Sequence, residues 1–108
     1  MNLPTEVFGD IIVVHTPEEL GADQSDALEA YVPTLERRNV VFDLDATETI
    51  DSKGLAALLN VQDKLRDTGG EAKIATTNLT NRKIFEVTRL NQQLEVFDNV
   101  VDAVKSFQ

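Results

Sequence analysis

"VVFDLDATETIDSKGLAALL", residues 40–59, changes character twice. It opens with the apolar run Val40-Val41-Phe42 and, after one acid, Leu44. A run with no polar face suits a strand covered on both sides, in the middle of a sheet. Residues 45–51, "DATETID", are polar and read as a connection. From Ser52 the period becomes helical: Leu55, Leu58, Leu59, Gln62 and Leu65 follow the i, i+3, i+4 rule with one polar exception. Lys53, Asn60, Asp63, Lys64 and Asp67 fall on the other faces. Gly69-Gly70 ends the helix, because glycine takes the left-handed cap conformation at little cost.

The same alternation extends in both directions. "EVFGDIIVVH" reads as two extended pieces joined at Gly9-Asp10, a hairpin whose second arm, Ile11–Val14, is wholly apolar. Thr16-Pro17-Glu18-Glu19 has the form of a capping box, but Gly21 interrupts it. A turn over Thr16–Ala22 and a helix from about Asp23 fit better. Leu28, Tyr31 or Val32, and Leu35 share one face of that helix, which Pro33 kinks or cuts short. "AKIAT" is a third central strand, and "NLTNRKIFEVTRL" a helix capped by Thr80 with a face at Ile84, Val87 or Thr88, and Leu90 or Asn91. "LEVF" is a last strand. A terminal helix capped by Asp98 follows, with Val100, Val104 and Phe107 at helical spacing. Strands alternating with about four helices after a hairpin predict an α/β fold, its sheet mostly parallel with one antiparallel edge. Right-handed crossovers place the loops after the strands along one edge, where open α/β sheets meet ligands and partners.

The chain's 108 residues predict a single domain over 1–108. With no run of about 18 apolar residues, no membrane span is expected, and "MNLPTEVFGD" lacks the features of a secretory signal, so the expected location is cytoplasmic. Ten basic residues face 19 acidic ones, a net charge of −9, which repels nucleic-acid phosphates and anionic membranes.

Little points to catalysis. There is no cysteine, and His15 is the only histidine, more simply a structural residue than a ligand. Neither G-x-G-x-x-G nor G-x-x-x-x-G-K-[ST] occurs. No enzyme, metal or cofactor is therefore expected. Asp43 and Asp45 alternate at a strand end, where such a pair can hold Mg²⁺ as in a receiver-like phosphoacceptor. A receiver would also want an acidic pair after its first strand and a lysine after its last; neither is evident, and loop acids or helix caps are the simpler reading.

Ser52 stands immediately before the leucine-patterned helix, a preferred N-cap position, and Asp51 serves as an alternative. A hydroxyl there lies beside free backbone N–H groups and the positive end of the helix dipole. A phosphate of roughly −1.5 to −2 charges could be accommodated there without unfolding the helix. Asp51 and Glu48 would repel it and Lys53 would partly offset them.

The whole stretch from Val40 to Leu59, an apolar strand ending in Asp-Leu, a short connector, then I-D-S-x-G-L and a leucine-rich helix, resembles the signature of STAS domains, the anti-sigma factor antagonist family. The "EEL" segment, Gly69-Gly70, "KIATTN" and "VVDAVKSF" follow in matching order. That resemblance implies a STAS-like fold and a non-enzymatic, phosphorylated regulator in a partner-switching pathway of transcription and signal transduction. It implies that Ser52 is phosphorylated by an anti-sigma factor with serine-kinase activity and restored by a PP2C-type phosphatase. Asp51, Ser52, Lys53, Gly54 and Leu55 would then form the partner-binding segment, Gly54 letting a partner backbone come close. Relatives often carry Ser or Thr where Lys53 stands, and an acid where Gly21 stands, Asp23 being the nearest substitute. STAS domains also act as scaffold subunits of signalling or lipid-transport assemblies, without a phospho-switch.

Overall fold

A computed structural model describes residues 1–108. β1 (Thr5–Phe8) and β2 (Ile11–His15) form the N-terminal hairpin, followed by a two-residue strand β3 (Glu19–Leu20) and helix α1 (Ala22–Tyr31). A 3-10 turn over Val32–Leu35, with Pro33 near its start, ends that helix and leads to β4 (Asn39–Asp43). A second two-residue strand, β5 (Thr49–Ile50), precedes α2 (Ser52–Asp67). β6 (Glu71–Ala75), α3 (Leu79–Val87), β7 (Val96–Phe97) and α4 (Val100–Lys105) complete the chain.

The main sheet runs β1-β2-β4-β6-β7, parallel except for the β1–β2 hairpin. The inner positions of the central strands are apolar, Lys73 of β6 excepted, because both faces are covered. Ile12, Val14, Val40, Phe42, Ala72 and Ile74 point to one face and pack with Leu28 of α1, Leu58 and Val61 of α2 and Phe85 of α3. Their neighbours Ile11, Val13, Val41 and Ala75 point the other way, against Ala103 and Val104 of α4. The first cluster has 17 buried residues and the second 6, so most apolar burial lies under α1–α3. α4 is too short to cover its face alone. Lys73 fills the remainder: its Nζ lies 4.2 Å from the Phe107 ring centre and donates to Ser106 Oγ at 2.7 Å. Its alkyl stem packs while its charge finds partners.

Several local expectations are corrected. α1 begins at Ala22, one residue earlier than expected, and the connections on either side of it and of β4 contain the paired strands β3 and β5. Two residues per strand leave no periodicity to read. Asn78, not Thr80, caps α3, accepting the N–H groups of Thr80 and Asn81 at 2.8 and 3.3 Å. Asn99, not Asp98, caps α4, while Asp98 pairs with Arg82. The buried face of α3 is Asn81 and Phe85, whereas Val87 is 73% exposed. The helix stops at Val87, so Leu90 sits on a separate 3-10 turn, out of phase with it.

Candidate functional site

β2, β4 and β6 run in register and end together at His15, Asp43 and Ala75, so the segments that follow share one edge. The segment leaving β4 is tightly held. Leu44 N–H donates to Ala75 O at 2.9 Å. Thr47 is buried, donates its hydroxyl to Pro17 O at 2.6 Å and meets the hydroxyl of Thr16. Asn81, also buried, donates Nδ2 to Leu44 O and Thr47 O at 3.3 and 2.8 Å. Asp45 accepts the N–H and hydroxyl of Thr77. Each buried polar group has a partner, as burial demands. The turn that delivers the chain to α2 is thus built before α2 begins.

Asp51 then caps α2, and Ser52 is its first residue, not its cap. Asp51 Oδ1 accepts the N–H groups of Lys53 and Gly54, both at 2.9 Å, and Oδ2 accepts the N–H of Ala22 at 3.1 Å. One carboxylate therefore ties together the first turns of α1 and α2. The Gly54 hydrogen bond, joined by those of Ala22 and Lys53 and by the Lys53 charge, outweighs an opposing desolvation and holds its pKa below the ordinary carboxylate value. Ser52 and Lys53 are exposed, and the Ser52 hydroxyl has no partner within the chain. The amides of Lys53 and Gly54 are not spare donors for an added phosphate, because Asp51 already occupies them.

The glycines of this region serve the protein's own packing. A Cβ on Gly54 would lie 2.0 Å from Leu20 O, so α2 sits directly on the β3 backbone. The close approach at Gly54 is made from inside, by Leu20. Leu55 is likewise buried. A Cβ on Gly21 would lie 2.8 Å from Asp51 Oδ2. Gly21 caps α1 and lets Ala22 reach that oxygen, while Asp23 lies exposed in the first turn of α1. Of the five segment residues, Asp51, Ser52 and Lys53 face outward, and Gly54 and Leu55 hold the turn from beneath.

His15 bridges two acids. Its Nδ1 is 2.8 Å from Asp43 Oδ2 and its Nε2 2.8 Å from Glu6 Oε1. Partial burial pushes its pKa down, but hydrogen bonds and charge from Glu6 and Asp43 outweigh this, and the net shift is upward. Asp43 Oδ1 accepts the N–H of Asp45. The Asp43 and Asp45 carboxylates are thus turned to different partners, His15 and Thr77. No group of three or more His, Asp or Glu side chains is placed to hold a metal ion.

Sequence reasoning placed Ser52 at the start of the leucine-patterned helix, where the structure has it. It missed Thr47 and Asn81, which fix the preceding turn, because a polar residue in a polar stretch gives no sign that it is buried. The link from Gly21 to Asp51 spans 30 residues and left no trace in local spacing, although Gly21 breaking the capping-box pattern was its one visible mark.

A profile of the STAS domain matches residues 2–103. A Thermotoga neapolitana protein named as a candidate anti-sigma factor antagonist is 19% identical over 109 residues, covering 97% of this chain and 96% of its own length. The crystal structure of a Thermotoga maritima protein of the same designation superposes with a TM-score of 0.85 at 17% identity, over 96% of this chain and 92% of that one. The Bacillus cell-fate determinant SpoIIAA, solved in its phosphorylated form, superposes with a TM-score of 0.72 at 17% identity, over 99% of this chain and all of the other.

Proposed function

The chain belongs to the STAS domain family, and from that premise we propose that it is an anti-sigma factor antagonist. It acts by binding rather than by catalysis. Its partner is an anti-sigma factor with serine-kinase activity, met through the surface around Asp51, Ser52 and Lys53. Phosphorylation of Ser52 ends the complex, and a PP2C-type phosphatase restores it.

One observation carries this reading: Ser52 is an exposed, unpartnered hydroxyl at the start of α2, behind a turn held by hydrogen bonds, on the edge where open α/β sheets usually meet partners. A kinase can reach such a group without unfolding anything. The charge logic also supports a switch. A phosphate on Ser52 would add roughly −1.5 to −2 charges beside the ionised Asp51. Since Asp51 holds the first-turn amides, the new charge would be neutralised only in part and would project outward. A surface matched to Ser52 would then meet repulsion, which at an interface costs several kcal/mol.

The test is direct. The chain is incubated with the candidate kinase and ATP, and the peptide containing Ser52 is analysed by mass spectrometry. Binding of wild type, Ser52→Ala and Ser52→Asp is measured in parallel. Ser52→Ala should bind and resist modification, and Ser52→Asp should bind at least about tenfold more weakly. An unmodified Ser52, with Ser52→Asp binding as tightly as wild type, would leave a scaffold role and remove the switch.

A further inference from the structure

A groove well away from Ser52 lies between the end of α1 with its 3-10 turn and the second half of α2. Ser52 and Leu65 are 13 positions apart on one helix, roughly 20 Å at 1.5 Å per residue. The groove encloses about 320 Å³, within the roughly 300–1,000 Å³ range of small-molecule sites. Val32, Val61 and Leu65 close its floor.

Its rim is unusual for this chain. Arg37 and Arg38 stand side by side in a protein with 19 acidic residues, yet neither is paired with a carboxylate. Arg66 and Arg82, by contrast, each have an acidic partner. Lys64 and Glu29, also in the rim, lie 4.0 Å apart and largely offset each other. The chain enters the arginine pair through Glu36, which holds φ at +54°, a left-handed conformation uncommon for a residue with a side chain. Strain of this sort is tolerated where the surrounding structure needs a particular direction of the chain. Glu36 and the two arginines that follow it all line the groove.

We propose that this groove binds a small amphipathic organic anion, with its carboxylate on Arg37 and Arg38 and its apolar body over Val32, Val61 and Leu65. Guanidinium groups suit a carboxylate because they offer paired N–H donors in a fixed plane. The apolar floor supplies the rest of the binding energy without a directional requirement. Because the molecule as a whole is acidic, an anion is held only by this local pair, so binding weakens as salt is raised. The site does not depend on the function assigned to Ser52.

Decanoate, below its micelle concentration, is the probe. It is titrated into the isotopically labelled full chain and followed by amide NMR, with decanol as the uncharged comparison. Saturable shifts should centre on residues 32, 37, 38, 61 and 65, and decanoate should bind at least about tenfold more tightly than decanol. The double variant Arg37→Gln/Arg38→Gln should lose about tenfold in affinity with its spectrum otherwise intact, and Lys64→Glu should weaken binding in the same direction. Equal binding of decanol, undiminished binding by the double variant, or shifts gathered instead around the exposed apolar residues Leu79, Val87 and Val101 would each overturn the assignment.

Discussion

The carboxylate of Asp51 accepts the backbone N–H of Ala22 at 3.1 Å while its other oxygen caps α2. Two helix starts, 30 residues apart in sequence, are thereby joined at one side chain immediately before Ser52. Any charge placed on Ser52 acts first on this joint.

Asp51 should therefore matter more to stability than Ser52. Asp51→Ala should lower the melting temperature, and Asp51→Asn, which keeps an acceptor, should recover part of the loss. Ser52→Ala should change stability by no more than about 0.5 kcal/mol. Equal destabilisation by Ser52→Ala and Asp51→Ala in thermal melts would mean that Ser52 is the cap. Acid provides a second readout. The Asp51 pKa is depressed on folding, so its contribution is complete above its ordinary value of 3.8 and is lost as pH falls through the lower folded-state value. Asp51→Asn should remove that part of the acid sensitivity.

His15 should give the opposite slope. Its pKa is raised on folding by Glu6 and Asp43 against the effect of burial. The stabilisation it provides is complete below its ordinary value of 6.5 and disappears as pH rises through the folded-state value. Melts between about pH 6 and pH 9 should show stability falling, and His15→Gln should flatten that fall. Imidazole NMR should report a pKa above 6.5, and Glu6→Gln should move it down. A titration at or below 6.5 in the folded chain would contradict the bridge.

Gly54→Ala tests whether this glycine serves the fold. Its added methyl would meet Leu20 O at 2.0 Å, and neither backbone can yield without separating α2 from β3. The expected cost is about 2 kcal/mol or more, as for overpacking in a core. Denaturant unfolding will measure it, with Lys53→Ala, an exposed neighbour, expected within about 0.5 kcal/mol of wild type. A stable Gly54→Ala protein would free Gly54 for a role at a partner surface alone.

Asn81→Leu should loosen the turn in front of Ser52 from a distance. It removes the Asn81 donor from Leu44 O, which keeps the Thr47 N–H, and leaves Thr47 O without a partner, at a cost of about 1–3 kcal/mol. Hydrogen exchange should accelerate in residues 44–51 more than in the β2–β4 pairing. Uniform acceleration throughout the sheet would show that Asn81 supports the whole fold, not this turn.

The amino-acid sequence by itself determined the α/β alternation, the hairpin, the central position of β4 and the extent of α2. Those features rest on apolar periodicity over five or more residues and on the glycines that end them, and such signals are local. It also marked Ser52, through the pattern from Val40 to Leu59 and not through any property of a serine. Only the tertiary structure decided which residue caps each helix, because Asp51 and Ser52, Asn78 and Thr80, or Asp98 and Asn99 are chemically almost equivalent and differ only in where the chain aims them. It alone decided that Phe85 and Asn81, not Val87, turn inward, and that β3 and β5 pair across 30 residues. The same holds for the inward role of Gly54. Its lack of a side chain is visible in the sequence, but the carbonyl of Leu20 that requires it is brought there by the fold.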